Sequence, residues 1–321
     1  MVYTSPYLKS LVVQDFTPLA DGVYSWELTD QPLAAIWLTV KGELYAIDQC
    51  IDDMLDSITS LDVWMGSFNV QHYTHADKCL LANCKLKQAW PYMVASSQTV
   101  NDVVGVTFPL MFGAPYLNSQ MCLPASLNNR KRLDLGLDIT TAAIDGLRLD
   151  ISQMIMPGAS PAGAIKQEEI TVANALMGEQ DVWLQHNWDL LKLLLYSPTV
   201  PVGGSLTCTI HRATLEINDF PWGYNAVPWE HLHAELMDEL EGPGALENHQ
   251  HLAAGATAAT GMAYGIDHWT KNFGEMDFFF EKDLKWRAPT AGASSVKLKV
   301  VTGVAENYSI VPIEYVPASK L

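Results

Sequence analysis

The stretch from Val106 to Ile139, VTFPLMFGAPYLNSQMCLPASLNNRKRLDLGLDI, decides how the rest of the chain is read. It opens on a short apolar run, Phe108-Pro109-Leu110-Met111-Phe112, which stops at Gly113 and Pro115. It resumes at Met121-Cys122-Leu123-Pro124 and ends in strict alternation. Leu133, Leu135, Leu137 and Ile139 take every second position, with Asp134, Gly136 and Asp138 between them. A period of two predicts a half-buried strand, apolar toward a core and acidic toward water.

Strand-like pieces extend outward from it in both directions. Upstream lie Val23–Leu28 and Ala35–Val40, with Lys41-Gly42 as a turn signal and Glu43–Ile47 as the returning arm of a hairpin. Asp48–Ser57 reads as an acidic segment with one or two helical turns, and Val63–Val70 as a strand. Residues 71–102 are less patterned and read as one long inter-strand loop with short elements. Downstream, Leu147, Leu149 and Ile151 repeat the alternation, which places a domain seam in Thr140–Gly146. Pro157–Ala164 is a loop by composition. Strands are expected at Ile170–Val172, Val182–Leu184, Met276–Phe280, Val296–Val300 and Tyr308–Val316. Asp189–Tyr196 fits helix or strand; its short length and the stop at Pro198 favour a buried strand. Leu206, Cys208 and Ile210 alternate toward Leu215–Ile217, with a bulge near Arg212-Ala213.

One helix is expected, Pro228–Leu240. Trp229, Leu232, Leu236, Met237 and Leu240 share a face opposite Glu230, Glu235, Asp238 and Glu239, with Gly242 at the exit. Ala253–Gly265 is too small-sided for a core and reads as a surface loop. Many short strands, few helices and a repeated strand at the midpoint give an all-β chain. The division is two consecutive jelly-roll sandwiches, 1–143 with an amino-terminal arm and 144–321 with the helix and a long loop 241–275.

The phrase Pro109-Leu110, Phe112-Gly113 and Leu123-Pro124, followed by the strand from Leu133, resembles the end of the first barrel in double jelly-roll major capsid proteins of tailless icosahedral viruses. Asn307-Tyr308-Ser309-Ile310 similarly resembles the closing strands of that family's second barrel. The chain differs from the familiar pattern at Ala125–Asn129, where an aromatic-rich strand is replaced, and at the basic triplet Arg130-Lys131-Arg132. The resemblance implies a homotrimer with pseudo-sixfold outline that tiles a shell beside neighbouring capsomers. Penton and minor capsid proteins and an internal membrane are further implied partners. It implies no catalytic residue, no metal and no cofactor. Structural roles fall to Pro109, Phe112, Gly113, Leu123 and Pro124 at the end of the first barrel, and to Trp229, Leu232 and Leu236 docking the helix.

Composition narrows the alternatives. At 321 residues, with 49% hydrophobic and 17% charged, the chain can bury a large core. Its mean hydropathy of +0.06 predicts apolar surface covered by partners. No run approaches the roughly 18 apolar residues that span a bilayer, and MVYTSPYLKS has no secretory pattern; synthesis in a host cytoplasm is the default. A net charge of -17 argues against direct nucleic-acid binding. Arg130–Arg132, the one basic cluster, reads as an interface loop.

Four rival chemistries compete with that reading. His72, His75, Cys79 and Cys84 carry a zinc-like ligand set, against which stands the reading of reduced half-buried thiols and surface histidines. The other cysteines, Cys50, Cys122 and Cys208, are widely spaced and the total of five is odd, so no disulfide framework is expected. Gly223, His231 and His233 with Asp238 or Glu239 resemble a cupin metal motif, and His249 and His251 lie downstream. Two histidines one residue apart share a metal on a strand but point about 200° apart on a helix. The groups Asp52, Asp53, Asp56 and Glu239, Glu241 would serve a glycosidase only if a pair faced a sugar across roughly 5–9 Å; solvated faces explain them. Ten tryptophans admit a glycan-binding sandwich. Trp37 and Trp64 are expected in the core; Trp222, Trp229 and Trp269 lie near loops or helix ends.

Overall fold

The computed structural model describes residues 5–12, 18–44, 51–89, 91–94, 103–126, 130–142, 144–201, 205–238, 250–252, 262–264, 270, 272–280 and 283–321. The amino-terminal residues 1–4, Cys50, Leu127–Asn129, Glu239–His249, Ala253–Gly261 and Trp269 lie outside these, and so do the expectations placed on them. The chain forms two compact units. The first comprises Met1–Ile165, Glu241–Trp269 and Pro317–Leu321, the second Lys166–Leu240 and Thr270–Val316.

In the first unit, β1 (Tyr7–Val12), β2 (Gly22–Glu27), β3 (Leu33–Leu44), α1 (Ile51–Asp56), β4 (Ile58–Met65), β5 (Phe68–Tyr73), α2 (Ala76–Lys87), β6 (Tyr92–Val94), β7 (Val103–Met111), β8 (Lys131–Leu137), α3 (Ile139–Ala142) and β9 (Ile144–Ile155) follow in order. One sheet runs β1-β9-β3-β7-β6, and a second contains β5-β4-β8-β2. Alternation drives both. In β9, Leu147, Leu149, Ile151 and Ile155 are buried while Asp145 is exposed; in β8, Leu133 and Leu135 are buried while Arg132 is exposed. Their inward faces supply the core of the sandwich.

The seam expected at Thr140–Gly146 is displaced. β9 pairs with both β1 and β3, so it belongs to the first sandwich, and the chain leaves that unit after Ile165. The repeated alternation marks two neighbouring elements of one unit, not two units. The hairpin at Lys41-Gly42 is also corrected: β3 runs unbroken through both residues. Gly42 is there for space, because a Cβ would lie 2.7 Å from Ile144 Cγ2, opposite a register shift between Lys41 and Glu43. Val63–Val70 is a hairpin rather than one strand, turning at Gly66 with φ 63°.

Residues 71–102 hold more than a loop. α2 is buried along nearly its whole length and ends at Gln88 in the left-handed region, φ 57°. Asn83 joins it to β7: its Oδ1 accepts the Met111 N–H at 2.6 Å and its Nδ2 donates to Cys79 O at 2.8 Å. A helix buried on all sides shows no apolar stripe, so its periodicity gives no sign of it.

β10 (Gly163–Glu168) begins in the first unit and carries the chain into the second, where β11 (Ile170–Val172), β12 (Gly178–Trp183), β13 (Asp189–Tyr196), β14 (Ile210–Ile217), β15 (Phe220–Pro221), β16 (Val227–Pro228) and α4 (Trp229–Asp238) follow. The short hairpin β17 (Gln250–Leu252) and β18 (Met262–Tyr264) belongs to the first unit. β19 (Phe273–Asp277), β20 (Val296–Thr302) and β21 (Tyr308–Pro317) complete the chain. One layer holds β19-β13-β21 with β11 beside β21; the other is β12-β20-β14-β15 with β16 on β14. Leu193, Leu195, Ile210, Leu215, Leu298, Val300 and Ile310 meet in one core between them. β13 is a buried strand as expected, and the bulge in β14 falls between Ile210 and Arg212. Gly163-Ala164, at the end of the expected loop, begins β10 instead. Cys208 is buried whereas Leu206 is exposed outside the strand.

Candidate functional site

The expected structural residues fall into two groups, one in each unit. In the first, Phe112 is fully buried; its N–H donates to Ala34 O at 3.0 Å and its carbonyl accepts from Ile165 N at 3.0 Å. Met111 N–H points to the other flank, toward Asn83, so the Pro109 nitrogen shares that flank, and β6 stops opposite Thr107. Proline there removes no bond to β3. Leu123 exchanges both backbone hydrogen bonds with Leu33, at 2.9 and 3.0 Å, and Cys122 N–H donates to Gly163 O at 3.1 Å. Pro124 is half-buried just beyond. At Gly113 a Cβ would fall 1.6 Å from Met121 O, so only glycine lets the chain fold back against itself. The phrase thus ties β7, β3 and the start of β10 together.

In the second unit, α4 lies on β19. Trp229, Leu232 and Leu236 are buried, and a Cβ on Gly274 would meet Leu232 Cβ at 3.0 Å and Trp229 at 3.2 Å. The helix begins one residue later than expected, since Pro228 pairs in β16 with Arg212.

The basic triplet is not a loop throughout, since Lys131 and Arg132 lie in β8. Lys131 starts β8 and is buried, donating to Gln31 O at 2.7 Å; burial pushes its ammonium down to about 8. Arg130 pairs with Glu27 and Arg132 with Asp134, each at 2.8 Å. The two tryptophans expected in the core are half-buried on outer faces instead. Trp37 donates to the Tyr116 hydroxyl at 3.1 Å beneath Lys87, whose Nζ sits 4.3 Å from the ring, and Trp64 lies beside Arg132. Trp222 is half-buried against Phe278.

The rival constellations are dispersed. His72 bonds Asp62 at 2.7 Å, while Cys79 and Cys84 are buried on α2. Burial pushes the Cys84 thiol up to about 12 and the Cys122 thiol up to about 11, far from nucleophilic thiolates. His231 and His233 ride on α4, with His233 Nδ1 2.8 Å from Phe273 O. Among the described residues no three His, Cys, Asp or Glu side chains are grouped to hold a metal ion. Among them, too, no helix is long and apolar enough to cross a membrane.

What the surface does offer is apolar side chains at sheet margins, which sequence reading missed. In the first unit they include Leu8 on the edge strand β1 and Tyr92 and Val103 around the edge strand β6. Tyr92 and Val103 line a groove of about 120 Å³ with Thr39, Lys41 and Thr107. In the second unit, Leu176, Met177 and Trp183 lie before and along the edge strand β12, with Leu176 and Met177 76% and 69% exposed. Phe220 is equally exposed on β15 at the opposite margin. Open strand edges lined by apolar groups are surfaces for partner chains. The alternation that betrays a core face gives no sign of an apolar residue left outside.

No family model matches the sequence, and no curated protein matches it. Solved structures match nearly the whole chain. The major capsid protein P2 of bacteriophage PM2 aligns at TM-score 0.63 and 11% identity over 97% of each chain. A chain of Sulfolobus turreted icosahedral virus aligns at TM-score 0.67 and 13% identity, covering 98% of this chain and 91% of its own. The Faustovirus major capsid protein aligns at TM-score 0.57 and 7% identity, over 98% and 90%. Both sandwiches and the order of their elements are therefore accounted for together: the chain has the double jelly-roll fold of viral major capsid proteins.

Proposed function

We propose that this protein is a viral major capsid protein, synthesised in the host cytoplasm and built into the virion shell as a homotrimeric, pseudo-hexameric capsomer. The observation that carries the reading is the match of both units, across nearly the full chain, to shell proteins of several viruses. The two sandwiches of each copy would supply two of the corners of the capsomer, and symmetric closure would leave few strand edges open. The exposed apolar groups at β1, β6, β12 and β15 supply material for such contacts. Neighbouring capsomers, penton and minor capsid proteins and an internal membrane are the partners this reading allows. A net charge of -17 suits a shell that does not itself hold the genome. The role is structural, with no catalytic residue assigned; Pro109, Phe112, Gly113, Leu123, Pro124, Trp229, Leu232 and Leu236 act by shaping the two units.

The native mass of the purified full chain, measured by light scattering, tests this. A stable trimer supports the reading. A monomer that persists at high concentration overturns it, and a monomer holding stoichiometric metal would turn attention to His231 and His233.

A further inference from the structure

Lys192 on β13 is the register partner of Asp277 on β19, and Glu275 stands two residues before Asp277. Directly opposed residues and those two apart project to one face of a sheet. Leu193, Leu195 and Met276 point the other way, into the core. Lys192 Nζ lies 2.7 Å from Asp277 Oδ2 and 2.7 Å from Glu275 Oε1. The three side chains are 1%, 4% and 2% exposed. Asp277 Oδ1 accepts the Phe279 N–H at 2.7 Å, which fixes the carboxyl with its other oxygen on the lysine. The Tyr224 hydroxyl accepts Asp277 N–H at 2.9 Å and donates to Glu235 at 2.6 Å, pinning the backbone beneath.

We infer that this is a site of self-modification, where Lys192 and Asp277 condense to an intramolecular amide with Glu275 carrying the protons. Burying an ammonium and two carboxylates costs several kcal/mol per ion, and transferring one lysine proton to Asp277 Oδ2, 2.7 Å away, relieves that cost. The neutral amine is then a nucleophile, held in near-attack range of the Asp277 Cγ. Attack forms the Nζ–Cγ bond, and the Phe279 N–H stabilises the charge that develops on Oδ1. Glu275 takes one proton from the nitrogen and passes it to Oδ2, which already carries the first lysine proton, so Oδ2 leaves as water when its bond to Cγ breaks. An ammonium and a carboxylate become one amide and one water, with no oxidant or co-reactant. The product is neutral, so the buried charges of the pair disappear and β13 is bonded covalently to β19. The inference stands apart from the capsid reading.

The test is the intact mass of the folded full chain. One water below the sequence mass is expected, after allowing for the amino-terminal methionine, with a branched peptide joining Lys192 to Asp277 in the digest. Glu275→Gln and Lys192→Arg should each show the full mass while keeping the wild-type circular dichroism. A folded wild-type protein at full mass overturns the inference, as does a water loss mapped to any other residue pair. Loss of water persisting in Lys192→Arg would do the same, and its persistence in Glu275→Gln would remove Glu275 from the chemistry.

Discussion

Gly113 and Met121 approach so closely that a side-chain carbon on the glycine would sit 1.6 Å from the Met121 carbonyl oxygen and 2.6 Å from its carbon. Both obstacles are backbone, so neither can swing aside. Gly113→Ala should therefore cost at least about 3 kcal/mol or abolish folding, beyond ordinary overpacking. Chemical denaturation checks it.

Phe112 lies next to that contact and is fully buried. Phe112→Ala should destabilise by roughly 3–5 kcal/mol. A loss well under about 1 kcal/mol, the range of a surface change, would show that the ring is not core.

Asn83 gives α2 its polar attachment to β7. Asn83→Ala removes the acceptor 2.6 Å from Met111 N–H inside the unit. The expected cost is about 1–3 kcal/mol. Hydrogen exchange should show faster exchange at Met111 than at Phe112, whose bond to Ala34 is untouched.

Glu314 supplies a pH signature. Burial raises its carboxyl to about 6 against the pull of Lys166 at 3.3 Å. The folded state therefore keeps this proton to higher pH than the unfolded state does. Its contribution is full below the ordinary value of 4.5 and is lost as pH rises through about 6. Glu314→Gln cannot titrate. Between pH 4.5 and pH 7 the variant should gain about 2 kcal/mol relative to wild type, since each tenfold difference in proton affinity between folded and unfolded chain is worth about 1.4 kcal/mol. Equal slopes for the two proteins would contradict the assignment.

Leu176 and Met177 are exposed before β12. Leu176→Lys combined with Met177→Lys should leave unfolding within about 0.5 kcal/mol of wild type for each change. Self-association, followed by light scattering, should weaken. Unchanged assembly would take this margin out of the interface.

The fold was legible where one face of an element meets water. The alternations in β8, β9 and β20 and the apolar face of α4 showed their elements plainly, because burial on one side leaves a period. α2 gave no such period, since Lys78, Asn83 and Lys85 are buried along with its apolar residues. Gly42 looked like a turn and is a packing gap against Ile144. The alternation at Leu147–Ile151 looked like the start of a second unit, but the partner of a strand is set by tertiary pairing, which its own pattern does not encode. The central phrase was readable because Gly113 and Pro115 interrupt an apolar run in a distinctive way. The exposed residues at the sheet margins were not, because a strand's pattern does not say whether it lies at an edge. Lys192 was invisible for a related reason: its partners, Glu275 and Asp277, arrive from more than eighty residues away.

The most direct measurement of the central claim is a single-particle reconstruction of the purified oligomer with no symmetry imposed. The expected particle is a homotrimer in which the two sandwiches of each copy alternate around a ring of hexagonal outline. A particle whose copies do not close into such a ring, or a chain that stays monomeric on the grid, would contradict it.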